Sequence, residues 1–278
     1  MIHPGQLLKS HGLYAGKELG QNFLSNPQVA LAIVEKAGIG KETPVLEIGP
    51  GLGALTVHIA RKTRQLTVVE KDRRLIPVLE QVLSDAGVPN VRIVNQDILQ
   101  YDMTQNADKN LVVIGNLPYN ISSQIMFKLV QQHHGVKQAF LMFQKELAQR
   151  ITAVPGGKQF SRLAAVVQYA ARVYAVADIG PANFFPRPQV DSAVLGLDFL
   201  PERDFPEQLE PVLFGVIKAA FSKRRKSLKN SLSGGEFNYD KQMVTAALEQ
   251  AGIDPVRRAE TLSVAEFKRL ALAVNNLS

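Results

Sequence analysis

The sequence predicts a doubly wound α/β domain over residues 1–200, a mostly parallel sheet with an antiparallel edge, followed by a small all-helical domain over residues 201–278. Three observations carry this reading. Short β-branched apolar runs alternate with helix-period segments through the first two thirds of the chain. A glycine-rich turn, Gly49-Pro50-Gly51-Leu52-Gly53, follows the first of those runs directly. After Leu200 the strand signal ends and only helical periodicity remains.

Residues 44–48, 65–70, 91–95, 111–115 and 139–143 read as strands buried on both faces, because each is apolar without a polar alternation. Between them, residues 27–37, 52–62, 73–85 and 122–133 have helical spacing. Right-handed crossovers through such helices give parallel strands covered on both sides. Two further strand candidates, 172–178 and 193–199, flank the proline-rich stretch 181–189. That stretch is too short for a crossover helix, so the pair should close the sheet as an antiparallel, hairpin-like edge. Residues 201–206 then read as a polar linker with two prolines. In the tail, Leu213, Val216, Ile217, Ala220, Phe221 and Leu228 would share one helix face, and residues 258–275 form a last helix. The chain carries no internal repeat and no low-complexity segment.

Composition narrows the function classes. Hydrophobic residues make up 46% and charged residues 21%, which suits a globular protein. Lys and Arg number 32 against 25 Asp and Glu, a net charge of +7 that favours a polyanionic partner such as nucleic acid. With no cysteine, disulfides and thiolate metal sites are excluded. His58, His133 and His134 lack metal-ligand spacing, so no metal is expected. No signal peptide or membrane-length apolar run is evident, and the expectation is a cytoplasmic protein, a monomer, without a membrane partner.

The glycine turn opens a helix after a strand, where backbone can approach a ligand and helix-end amides face it. Alone it is ambiguous, since Gly49, Gly51 and Ala54 also satisfy a dinucleotide-binding fingerprint. Glu47, immediately before the glycines, suits the ammonium of a methionine zwitterion better than a pyrophosphate. Glu70 ends the next strand, where a carboxylate can take both hydroxyls of a ribose. Asp97 follows the third, where it can accept from an adenine amine while the Ile98 N–H donates to the ring. Acceptors in this order point to S-adenosylmethionine.

Asn116-Leu117-Pro118-Tyr119 ends the fourth strand. An exocyclic adenine amine is a poor nucleophile, because its lone pair is delocalised into the ring. Acceptors on both of its N–H groups favour a more tetrahedral nitrogen. The Asn116 side-chain oxygen and the backbone carbonyl of Leu117 or Pro118 can supply them. Tyr119 is placed to stack on an extruded base, a contact worth about 1–3 kcal/mol. A sulfonium donor already carries a good leaving group, so neither a general base nor a metal is required.

These motifs resemble those of the ribosomal RNA adenine N6-dimethyltransferases, and among them the bacterial small-subunit type. The resemblance runs over almost the whole chain. It rests on Gly20-Gln21-Asn22-Phe23-Leu24, the glycine turn with Glu70 and Asp97, Asn116–Tyr119, and Phe184-Phe185-Pro186-Arg187-Pro188-Gln189-Val190-Asp191-Ser192. Residues 221–230 and 258–263 extend it through the tail. The resemblance implies a class I S-adenosylmethionine-dependent methyltransferase domain, with Asn22, Leu24, Gly49, Glu70, Asp97 and Asn116 touching the donor. It places Phe184 opposite Tyr119 around the target base. It implies dimethylation of two adjacent adenosines near the 3′ end of 16S rRNA, within a pre-assembled small subunit. Two departures stand out: Phe160-Ser161-Arg162-Leu163-Ala164 replaces a common Tyr-Gly-x-Leu-Ser, and Glu18 lies where basic residues are common.

Lys223, Arg224, Arg225 and Lys226 form a basic run, read as lying on the first tail helix with Lys218 and Lys229. From Pro201 onward there are 12 Lys and Arg against 10 Asp and Glu, so this charge is local, and it favours phosphate contact. Arg187 is a further candidate for RNA backbone. Three rival readings remain: a large-subunit rRNA dimethyltransferase, a dinucleotide-dependent oxidoreductase, and a mainly non-catalytic assembly factor. Asn116–Tyr119 and the lack of an evident hydride-transfer acid weigh against the oxidoreductase.

Overall fold

Seven strands make the main sheet of the computed structural model, which describes residues 2–16, 18–88, 90–103, 110–133, 135–200, 204–223, 225–233 and 239–277. They are β2 (Val45–Ile48), β3 (Leu66–Glu70), β4 (Arg92–Asn95), β5 (Leu111–Asn116), β6 (Val136–Gln144), β7 (Ala171–Ile179) and β9 (Ser192–Phe199), in the order β4-β3-β2-β5-β6-β9-β7. The neighbours from β4 to β6 pair in parallel, and β9 runs antiparallel to β6. The expected antiparallel edge is therefore present, with β9 inserted between β6 and β7. The chain steps outward from β2 through β3 to β4, then returns to β5 on the other flank of β2. Such a reversal opens a crevice beyond the carboxyl ends of the strands. Register aligns Ile48 with Val69 and Gly115, Glu70 with Asn95, and Asn116 with Met142, so the candidate residues emerge along one edge.

Helices α2 (Pro27–Lys36), α3 (Thr56–Ala60), α4 (Ile76–Asp85) and α5 (Ser122–Gln131) occupy the predicted intervals, and α6 (Lys145–Ile151) follows β6 directly. Two are shorter at the start than their periodicity suggests. Gly51 and Gly53 adopt φ of 55° and 84°, so residues 51–55 are turns and the helix begins only at Thr56. Residues 73–75 form a 3₁₀ turn whose N-cap, Asp72, accepts from the Arg74 N–H. The proline-rich stretch contains a short strand, β8 (Phe184–Phe185), which pairs antiparallel with β1 (Phe23–Leu24). Neither strand is legible as a strand in the sequence. Helix α1 (Pro4–Ser10) packs Leu7 and Leu8 against Phe23, Leu75 and Phe185.

The chain separates into two compact units, Met1–Ala148 with Arg172–Phe199, and Gln149–Ala171 with Leu200–Ser278. Residues 149–171, read from sequence as part of the first domain, thus belong with the tail. Aromatic packing explains the grouping. The fully buried Tyr169 ring meets Phe205 and Phe214 edge-on at 6.2 and 5.7 Å, and its hydroxyl donates to Glu210. Phe160 likewise meets Phe221, which meets Phe267. This unit contains α7 (Arg162–Ala170), α8 (Glu210–Ala220), α9 (Leu228–Leu232), α10 (Lys241–Gln250) and α11 (Val264–Leu277). The Phe160–Ala164 departure is accommodated by a helix start: Ser161 is the N-cap of α7. A capping box formed by Ser263 and Glu266 starts α11, and Arg257 pairs with that Glu266. Among the described residues, no helix is long and apolar enough to cross a membrane.

Gly115 ties the sheet to the crevice. A Cβ there would lie 2.7 Å from the Ile48 carbonyl oxygen and 3.2 Å from the Ile48 Cβ. The closest atom is backbone in the adjacent strand, so β5 would have to move from β2 just before Asn116. Gly115→Ala should cost about 1–3 kcal/mol of stability, the range for forced overpacking. A urea titration checks this, and an unshifted midpoint would show that the two strands separate freely.

Candidate active site

One cleft at the carboxyl ends of β2, β3 and β5 gathers most of the predicted positions. Asn22, Leu24, Gly49, Gly51, Glu70, Asp97, Ile98, Asn116, Leu117, Pro118 and Tyr119 all line it, as do Glu18 and Glu47. Most are placed by a strand end or by the turn that follows, and Glu18 and Asn22 by the segment before β1. Gly49 and Gly51 hold φ of 66° and 55°, in the left-handed region that glycine tolerates. A Cβ on Gly51 would also lie 2.9 Å from the Phe23 ring. That close approach lets the Gly51 N–H donate to Glu70 Oε2 at 3.0 Å.

Three carboxylates in the cleft have different environments. Glu70 is buried, and its Oε1 accepts from the Asp72 N–H at 2.8 Å while Gly51 serves Oε2. Burial pushes its carboxyl above the usual range, although these two amide donors favour the charged form. Asp97 accepts from the Leu99 N–H on Oδ1 and from Lys71 Nζ, at 2.8 Å, on Oδ2. Burial pushes it up, but Lys71 and the Leu99 amide outweigh burial and hold its carboxyl below the usual range. Glu47 is only 1% exposed, and its Oε2 has no hydrogen-bond partner among the described residues. Burial lifts its carboxyl to about 8; the Thr56 hydroxyl is near enough to oppose the shift, and the Glu70 charge adds to it.

The Asn-Leu-Pro-Tyr loop is fixed by bonds from distant residues. Asn116 Nδ2 donates to the Asn22 carbonyl at 2.8 Å, which orients the amide and leaves Oδ1 as an acceptor. The Pro118 carbonyl already accepts from the Ile121 N–H and from Ser122 Oγ at 2.8 Å. Both of its lone pairs are therefore committed. The half-buried Tyr119 shares a 2.7 Å hydrogen bond with Ser192, at the end of the proline-rich stretch. Burial raises its phenol, with the Ser192 bond opposing.

Phe184 is not among the cleft residues. Its backbone pairs with Leu24, and its side chain, 4% exposed, sits in the apolar cluster with Leu24 and Ile33. Its strand pairing ties it to the residues 22–24 segment. Arg187 is exposed. Lys223, Arg225 and Lys226 are exposed too, but they lie in the turn between α8 and α9, not on a helix. The helix stops at Ala220 because Ser222 Oγ returns to the Ala219 carbonyl, and Leu228, in α9, donates its N–H to the Arg257 carbonyl. Arg224 lies outside the described residues. Sequence reading missed Lys71, Asp72, Gln21, Ser122 and Ser192 as parts of the site. Lys71 and Asp72 adjoin Glu70, and Gln21 and Ser192 lie within the sequence motifs, but none of them carries a role in that reading.

The chain is similar to known proteins over nearly its full length. The pattern of the family described as Ribosomal RNA adenine dimethylase matches residues 13–276. A ribosomal RNA small subunit methyltransferase A of Desulforapulum autotrophicum is 53% identical over 275 residues, 99% of this chain and 97% of the relative. A protein of the same name from Bacillus cereus is 38% identical, covering 98% and 96%. Among solved structures, a dimethyladenosine transferase from Plasmodium falciparum superposes with a TM-score of 0.79 at 26% identity, covering 92% of this chain and 98% of that one. A 23S rRNA methyltransferase, ErmE, gives 0.67 at 27% identity, covering 91% and 100%.

The environment of Glu47 has a measurable consequence. Its unfolded carboxyl titrates near 4.5 and its folded one near 8, so between those values the folded state holds a proton that the unfolded state has lost. Stability from this group is fully present below about pH 4.5 and is lost as pH rises through about 8. Glu47→Gln removes the titration. The stability difference between variant and parent, read from urea midpoints, should widen in favour of the variant across that interval. A difference independent of pH would mean that Glu47 is not a buried neutral acid.

Proposed function

The chain belongs to the ribosomal RNA adenine dimethylase family, and on that premise we propose that it transfers methyl groups from S-adenosylmethionine to the N6 atoms of two adjacent adenosines near the 3′ end of 16S rRNA. The proposed substrate is the pre-assembled small ribosomal subunit, and the full-length similarity to small-subunit relatives favours it over the large subunit. The observation that carries the chemistry is the pair of acceptors at the end of β5: Asn116 Oδ1, oriented by the Asn22 carbonyl, and the carbonyl of Leu117.

The cleft fits the donor. Glu47 offers a buried carboxyl oxygen without a partner among the described residues to an ammonium, Glu70 offers the second lone pair of each oxygen to a ribose, and Asp97 with the Ile98 N–H suits an adenine edge. When bound, S-adenosylmethionine supplies an electrophilic sulfonium methyl group. The protein's task is then to position the adenine amine and to accept its N–H bonds, so that the nitrogen lone pair is freed from the ring. We assign base stacking to Tyr119, whose ring is held by Ser192. We assign Phe184 to supporting Leu24 from the β1–β8 ladder. Lys223, Arg225, Lys226 and Arg187 are proposed to meet phosphates.

The decisive assay incubates the protein with radiolabelled S-adenosylmethionine and unmethylated small or large subunits, then identifies the modified nucleoside. Dimethyladenosine in the small subunit alone is expected, and label in the large subunit alone would overturn the substrate assignment. In the same assay Asn116→Ala should lower turnover on the order of 100-fold, the scale for removing one preorganised polar group. Near-normal turnover would reject its role.

The phosphate assignment is tested by salt. Arg225→Ala with Lys226→Ala should weaken small-subunit binding and reduce the log–log salt slope by roughly 0.7–0.9 for each lost contact. Affinity for S-adenosylhomocysteine should stay unchanged. A lower melting temperature with an unaltered slope would make these residues structural.

A further inference from the structure

Residues 18–24 wall the cleft with little regular structure of their own; only Phe23 and Leu24 are strand. Side chains from the end of β5 and from the turns after β3 and β5 hold them. Asn116 bonds the Asn22 carbonyl, and Asn120 Nδ2 reaches the Glu18 carbonyl at 3.4 Å. The third hold is Gln21, whose Nε2 donates to Asp72 Oδ2 at 2.9 Å while its Oε1 accepts from the Gly16 N–H at 2.7 Å. Asp72 is only 6% exposed. Its Oδ1 accepts from Arg74 Nε and the Arg74 N–H, and its Oδ2 also accepts from Arg74 Nη2. Through its own N–H, Asp72 also donates to Glu70 Oε1.

We propose that Asp72 is a positioning residue for the donor site, clamping Gln21 and so the residues 18–24 wall to the strand end that carries Glu70. The inference rests on the reading of this cleft as the S-adenosylmethionine site. Asp72 does not line the cleft, so it acts through Gln21 and Glu70. The chemistry of the link is directional. The Gln21 amide presents N–H to a carboxylate, and its oxygen is already engaged by Gly16. Asp72→Asn would turn an N–H toward the Gln21 amide, and Gln21→Glu would set two carboxylates face to face. Made together, the two changes restore the bond with its polarity reversed. The amide introduced at position 72 would donate to the carboxylate introduced at position 21, whose other oxygen keeps the Gly16 N–H. The oxygen at position 72 would keep the Arg74 N–H and Nε, while the Arg74 Nη2 bond to Oδ2 would be lost.

A double-mutant cycle on the full chain tests this, with S-adenosylhomocysteine affinity by calorimetry, its dissociation rate by stopped flow, and thermal melts of every variant. Parent binding is measured first, and a parent that does not bind rejects the donor reading and this inference with it. With binding present, Asp72→Asn and Gln21→Glu should each weaken affinity roughly tenfold, the scale of one hydrogen bond to a charged group, chiefly through faster dissociation. The double variant should recover most of that loss. A double variant as weak as the weaker single, or singles that bind like the parent, would overturn the clamp while leaving the donor reading intact. Melting temperatures that fall without any change in dissociation rate would make the link merely structural.

Discussion

A carboxylate at the end of a buried parallel strand has to be hydrogen-bonded on its oxygens or give up its charge. Glu70 meets that demand with two backbone amides, those of Gly51 and Asp72, and much of the site is arranged around the result. For Gly51 to present its N–H, the turn after β2 must adopt a left-handed backbone and must have no Cβ against Phe23. For Asp72 to present its own, the chain leaving β3 must curl at once into a 3₁₀ turn. The glycine turn, the acidic strand end and the helix start are thus one hydrogen-bonded unit.

Glu47 is satisfied differently. It lies on β2 with a buried oxygen that meets no donor among the described residues, and burial keeps it protonated well above the usual carboxylate range. Burial raises both acids, one strand apart, but Glu70 has two amide donors and Glu47 Oε2 has none among the described residues. A neutral buried acid avoids the cost of a buried, unpaired charge.

The loop at the end of β5 follows the same economy of polar groups. Ser122 and Ile121 use up the Pro118 carbonyl, and Asn22 takes the Asn116 amide nitrogen. The acceptors that remain, Asn116 Oδ1 and the Leu117 carbonyl, are the two proposed to take the N–H groups of the target amine. In the other compact unit, cationic side chains are presented from a turn between two short helices. Leu228 and Lys229 anchor that turn to the carbonyls of Arg257 and Pro255.

The sequence by itself determined the alternation of strands and helices, the glycine turn, the order of Glu47, Glu70, Asp97 and Asn116, and the helical tail. Each is a local signal: apolar periodicity, the backbone freedom of glycine, and acids just after β-branched runs. Tertiary structure alone decided the rest. Gln21 meets Asp72 across 51 residues, Tyr119 meets Ser192 across 73, and Asn116 meets Asn22 across 94. The β1–β8 ladder brings Leu24 to Phe184, whose side chain is buried in the apolar cluster. Residues 149–171 join the tail because Phe160 and Tyr169 find aromatic partners there. The basic run leaves the helix where the Ser222 hydroxyl competes for the Ala219 carbonyl. Periodicity reports which face of an element is apolar, but a single polar bond between distant segments leaves no period to read.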